Sequence, residues 1–217
     1  MRLRSSAHLL LCLAAAVCFL PCADGICAER PLDREPLVDL HAVDPTIVID
    51  LRYATPHNVT GRPLYPPGTP CLVRAGVAQR LRAAQYVLRR QGLGLKVWDA
   101  YRPLAAQRRL FDAVKMSEFV ADPASGGALH SWGVAVDATL VDAHGRDVPM
   151  PTDFDDFSKT ASMHYAGGDR RVWKNLATLQ HAMSPGFYGM HGEWWHFIAK
   201  NWKCYGPAIP AGASRKK

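Results

Sequence analysis

The sequence predicts an α+β domain in which helices pack around a small, mostly antiparallel sheet. Three observations lead there. Stretches with strand and helix character alternate along the chain, and irregular loops join them. Apolar residues make up 48% and charged residues 21% of 217, a balance that supports one globular core. No internal repeat and no Gly/Ser-rich linker divides the chain. A parallel α/β sheet is the alternative arrangement.

The elements follow in order. Residues 1–28 begin with Arg2 and Arg4, continue through an apolar run from Leu9 to Leu20, and end in small residues at Ala23, Gly25 and Ala28. That layout predicts a secretory signal peptide cut after Gly25 or Ala28, leaving residues 29–217 as one domain. The expected location is therefore exported, either periplasmic or secreted. The apolar run is shorter than the ~20 residues a spanning helix needs, and no later stretch is long enough, so no stable membrane span is expected. Cys12, Cys18 and Cys22 leave with the leader, and Cys27 leaves too if the cut follows Ala28. Cys71 and Cys204 remain, and they read either as one disulfide or as separate buried thiols.

"TIVIDLRYAT" (46–55) is rich in β-branched residues and reads as a strand. A proline-rich loop fills 56–70. Val77, Leu81, Ala84 and Leu88 recur at helical spacing, which predicts a helix over 77–91 stopped by Gly92. "LGLKVWDAYRP" (93–103) reads as a short strand and a turn. Pro103 suits the first turn of a second helix reaching about 116, with Leu104, Phe111 and Val114 inward. After a Gly/Ala-rich loop, Val134, Val136 and Thr139 mark a strand following Gly133. A third helix is expected over 169–183. Gly186 and Gly189 then interrupt the chain before "HGEWWHF" (191–197).

Charge narrows the partners. The formal net charge is +7, but the positive residues are dispersed and no basic run carries interleaved aromatics, so nucleic acid is not an expected partner.

Chemistry gathers in two motifs. "HSWGVAVD" carries His130 and Asp137, and "EWWH" carries Glu193 and His196. Catalytic zinc takes three protein donors of imidazole and carboxylate type and keeps a fourth position open. His130, Asp137 and His196 would make such a set, with Glu193 left beside it as a general base. Both pairs have odd spacings, which on a straight strand point to opposite faces. Each motif therefore requires a bend, and Gly133 supplies one. Taken singly, either pair reads more readily as packing than as a ligand set. "WDAYRP" adds Asp99 and Arg102 at a strand end, where an arginine can hold a carbonyl oxygen as it gains charge.

Taken as a series, "DLRYAT", "NVTGRPLY", "WDAYRP", H-x-x-G-x-A-x-D, "FDDFS" and "EWWHF" resemble the zinc D-alanyl-D-alanine dipeptidases of the VanX type. These are relatives of the D-Ala-D-Ala carboxypeptidases and the Hedgehog signalling domain. The resemblance runs over about residues 46–200. It implies one zinc ion held by His130, Asp137 and His196, with Glu193 as catalytic base. It implies Arg102 as the oxyanion donor and Asp99 as its supporting acid. Tyr53 and Asp155 match positions that line the substrate pocket, with Asp155 facing the free amine of a dipeptide. The implied reaction is hydrolysis of D-Ala-D-Ala to D-alanine. The alternatives are a carboxypeptidase or endopeptidase acting on peptidoglycan stem peptides, and a non-catalytic zinc-containing module. One position departs from the family: its usual S-x-H is "ALH" here, with Ala128 in the serine place.

Overall fold

The computed structural model describes Leu32 and residues 35–115, 119–125 and 128–208. The leader and the Arg215–Lys217 tail lie outside the described residues. The elements are β1 (Leu37–Asp39), α1 (Leu40–Val43), β2 (Val48–Ile49), β3 (Leu72–Arg74), α2 (Ala75–Arg89), β4 (Leu93–Asp99), α3 (Leu104–Val114), β5 (Ala135–Asp142), α4 (Arg170–Met183), β6 (Phe187–Met190) and β7 (Glu193–Ala199). Short 3-10 turns lie at Arg52–Ala54 and Leu129–Trp132. The α+β expectation holds. The main sheet has the order β2-β4-β5-β7-β6, and only the two-residue β2 runs parallel to its neighbour.

Helix α2 forms where the periodicity places it, because Val77, Leu81, Ala84 and Leu88 share a face that is wholly buried. Gly92, at φ +72°, follows it and lets the chain reverse. Helix α4 starts at Asp169, whose carboxylate accepts from Arg171 N at 2.8 Å. Both helices pack against each other and against the sheet.

Several expectations change. "TIVIDLRYAT" gives only Val48–Ile49 as strand, because the chain turns into the 3-10 segment that carries Tyr53. Leu104 is 56% exposed rather than inward. The most buried residues of α3 are Ala106, Gln107 and Leu110, while Phe111 and Val114 pack partly buried against the core as expected. Gly189 lies inside β6 and does not interrupt it. β1 and β3 form a separate antiparallel pair with no counterpart in the sequence reading. Cys204 is disulfide-bonded, whereas Cys71 is a free buried thiol whose pKa burial pushes upward. The two therefore do not pair with each other.

Candidate active site

Three neighbouring strands bring the acidic and imidazole groups into one row. Asp137 on β5 is the register partner of Asp99 on β4 and of His196 on β7. A bulge between Val97 and Asp99 sets the first pairing. Two carboxylates directly across from each other repel. Here Arg102 relieves that cost: its Nη2 is 2.6 Å from Asp99 Oδ2 and 3.9 Å from Asp137 Oδ2.

The two bends that the odd spacings require are present. His130 sits on the 3-10 turn Leu129–Trp132, and Gly133 ends that turn at φ +73°. A Cβ at Gly133 would lie 2.6 Å from Leu37 Cδ2 and push that side chain aside, but it is the left-handed backbone that favours glycine here. The turn is pinned from both sides, by Arg102 N to His130 O at 3.2 Å and Arg74 N to Gly133 O at 3.0 Å. In the β6–β7 hairpin, Gly189 pairs with Phe197 but Met190 pairs with Glu193. That shift breaks the strand alternation between Glu193 and Phe197 and lets Glu193 and His196 face one cavity.

The donor atoms converge. His196 Nδ1 lies 2.9 Å from Asp137 Oδ1, His130 Nε2 lies 3.2 Å from His196 Nδ1, and His130 Nε2 lies 3.4 Å from Asp137 Oδ1. Four ligands at zinc distances of about 2.0–2.2 Å stand roughly 3.3 Å apart in a tetrahedron. The spacing found is that of three corners around one small divalent ion, and among the described residues this is the one such group of three. The other nitrogen of His130, Nδ1, meets Ala100 O at 2.9 Å. A carbonyl only accepts, so Nδ1 carries the proton and Nε2 offers its lone pair to the site.

A cavity of about 230 Å³ opens beside this cluster. Arg102, Tyr53, Asp155 and Glu193 border it together with His130, Asp137 and His196. Burial pushes the Glu193 carboxyl up to about 7, against the opposing influence of His196. Burial also works against ionisation of Asp137, but His130 and then His196 hold its carboxyl well below the usual range. Asp155, at φ +58°, accepts from Tyr53 Oη at 2.9 Å and Val59 N at 3.0 Å. Burial raises its carboxyl to about 6 despite these two donors. The Tyr53 ring carries Arg102 on its face, 4.7 Å from the centroid.

The two tryptophans divide their work. Trp195 borders the cavity, while Trp194 packs on Trp98 at 5.6 Å and donates Nε1 to Thr152 Oγ1 at 2.9 Å. Asp99 is fully buried and supports Arg102 through Nε at 2.9 Å and Nη2 at 2.6 Å. Two contributors were not read from the sequence. Tyr65 donates to the other Asp99 oxygen at 2.5 Å, and Gln107 accepts from Arg102 Nη1 at 2.9 Å. Tyr65 lay within "NVTGRPLY", a motif that carried no assigned role, and nothing marked Gln107.

With this geometry in view, the comparisons are specific. The family model described as D-Ala-D-Ala dipeptidase (Peptidase M15) matches residues 33–205. The chain belongs to this family. It is 34% identical to a D-alanyl-D-alanine dipeptidase of Escherichia coli K12 over 166 residues, covering 76% of this chain and 85% of the relative. A D-alanyl-D-alanine dipeptidase of Enterococcus faecium is 29% identical over 70% of this chain and 85% of its own length. One from Enterococcus faecalis is 31% identical over 68% and 83%. Membership makes the protein a metallopeptidase that hydrolyses dipeptides, and His130, Asp137 and His196 are the residues that fit the metal the family depends on.

Proposed function

We propose that the protein is a zinc-dependent D-alanyl-D-alanine dipeptidase. The observation that carries this is the spacing of His130, Asp137 and His196, with Glu193 and Arg102 bordering the same small cavity. The donor set of two imidazoles and one carboxylate suits zinc. When bound, the ion supplies a Lewis acid that activates water at neutral pH.

The chain's own residues do the rest. Glu193 takes a proton as water attacks the peptide carbonyl, then delivers it to the leaving amine. Arg102 donates to the carbonyl oxygen as it gains charge, and Asp99 keeps the guanidinium in place. Asp155 receives the free amine of the substrate. A buried carboxylate with only neutral hydrogen-bond donors gains most from a cation, and the substrate ammonium is one. The cavity volume is below the ~300–1,000 Å³ usual for small-molecule clefts, which suits a dipeptide better than a long stem peptide.

Residues 1–28 would serve as an export leader cut after Gly25 or Ala28.

The test is a panel of D,D-, L,D- and L,L-dipeptides and a D-Ala-D-Ala-terminated pentapeptide, run on metal-stripped and zinc-restored protein. Zinc-dependent cleavage of D-Ala-D-Ala is expected to dominate. Preference for the pentapeptide would move the reading to a stem-peptide carboxypeptidase. Metal uptake with no hydrolysis of any D,D-peptide would leave a binding module.

A further inference from the structure

Besides lying on the face of Tyr53, Arg102 is held by hydrogen bonds at two points, and only one of them is charged. Both Nε and Nη2 donate to the same Asp99 oxygen, Oδ2, at 2.9 and 2.6 Å. The second carboxylate oxygen is taken by Tyr65, whose phenol burial keeps protonated and able to donate. Two contacts to one oxygen leave the guanidinium free to rock about it, unlike a fork-to-fork pair that fixes the plane. The second point is Gln107. Its Oε1 accepts from Nη1 at 2.9 Å, and its Nε2 donates to Ala121 O at 2.7 Å. A flipped amide would set its NH2 against the guanidinium, so the two partners fix its orientation. Gln107 is 1% exposed and sits on the buried face of α3.

We infer that Gln107 is a positioning residue for the reaction, setting the angle at which the Arg102 fork meets the carbonyl oxygen under attack. A guanidinium has five N–H groups, three of which are engaged by Asp99 and Gln107. One N–H is left on each terminal nitrogen, and the Gln107 bond decides where that pair points. Ala121 follows Phe119 and Val120, which border the cavity, so the same side chain ties the arginine to the cavity wall. The inference rests on Arg102 acting as the oxyanion donor.

The test is kinetic, on the zinc-loaded full chain with D-Ala-D-Ala as substrate. Gln107→Met removes both hydrogen bonds at similar volume. It is expected to lower kcat about tenfold, with KM within about twofold and zinc content unchanged. Gln107→Glu keeps an acceptor for Nη1 but sets a second acceptor against Ala121 O, so it is expected to recover part of that loss. In an Arg102→Ala background, Gln107→Met is expected to cost nothing further. The inference is overturned if Gln107→Met leaves kcat intact, or changes KM alone. It is equally overturned if the substitution costs the same tenfold without Arg102. Wild-type kcat in Arg102→Ala by itself would instead remove the oxyanion assignment under Proposed function.

Discussion

The metal end of the cavity and its proposed substrate end are built from different material. Asp137 and His196 are register partners on adjacent strands, Asp99 completes the row, and His130 stands on a turn tied to two other segments. At the other end, Asp155 lies in the long connection between β5 and α4 with a left-handed backbone, and Tyr53 lies on a three-residue turn. Phe119, Val120 and Ala128, which also border the cavity, come from the connection between α3 and β5. Two of the three donors stand on hydrogen-bonded ladders and the third on a pinned turn, while the groups proposed to select the substrate stand on loops and a short turn. The division places precision where the chemistry needs it and variability where specificity is adjusted.

Substitutions at the two ends should therefore fail in different ways. The largest effect belongs to His196→Ala. Losing one of three donors is expected to abolish stoichiometric zinc binding and to reduce kcat/KM to background, read by metal analysis beside the peptide assay. Metal retained at wild-type affinity would break the comparison at its rigid end.

Next comes Glu193→Gln, with zinc kept and kcat down by about 10²–10⁴, the range for a general base. The same variant has a stability signature in metal-free protein. The Glu193 carboxyl titrates at about 7 when folded, against a usual 4.5, because burial disfavours its charge. Between those values the folded state holds a proton that the unfolded state releases, so stability falls as pH rises through this window. Glu193→Gln is expected to remove that decline, stabilising metal-free protein at pH 8 by up to roughly 3 kcal/mol and little at pH 4. Equal denaturation midpoints for the two proteins at pH 8 would contradict the buried environment assigned to Glu193.

Asp155→Asn tests the loop end. A charge-assisted contact to the substrate amine is worth about 1.5–3 kcal/mol, so KM should rise roughly ten- to hundredfold with kcat and zinc little changed. A fall in kcat at constant KM would instead place Asp155 among the reacting groups. The smallest effect is expected from Ala128→Ser, which restores the hydroxyl of the family motif. One neutral hydrogen bond of about 0.5–1.5 kcal/mol predicts a two- to tenfold change in KM for D-Ala-D-Ala and none in metal content.

Legibility in the sequence followed the same division. Helices α2 and α4 were readable to within about two residues, because apolar spacing near 3.6, the stop at Gly92 and the start at Asp169 are local signals. β1, β3 and β6 were not, since strands of three or four residues are too short to show alternation. α3 kept its length and the core contacts of Phe111 and Val114, but Leu104 turned outward and Gln107 inward, because packing, rather than residue type, chose the most buried positions. The donor residues were legible only as a set: singly each pair reads as packing, and the series of motifs gave them their roles. Tyr65 and Gln107 were not legible, because an uncharged side chain becomes informative only when its partner is known.

Chain order and residue type thus determined the fold class, the helices, and a short roster of groups fit to bind metal and move protons. Tertiary structure decided whether those groups meet. Odd spacing sets His130 apart from Asp137 and Glu193 apart from His196 on any straight strand, and the left-handed Gly133 and the Gly189–Glu193 register shift cancel that separation. Such bends depend on which strand pairs with which, a long-range outcome of sheet assembly that no local window of sequence contains.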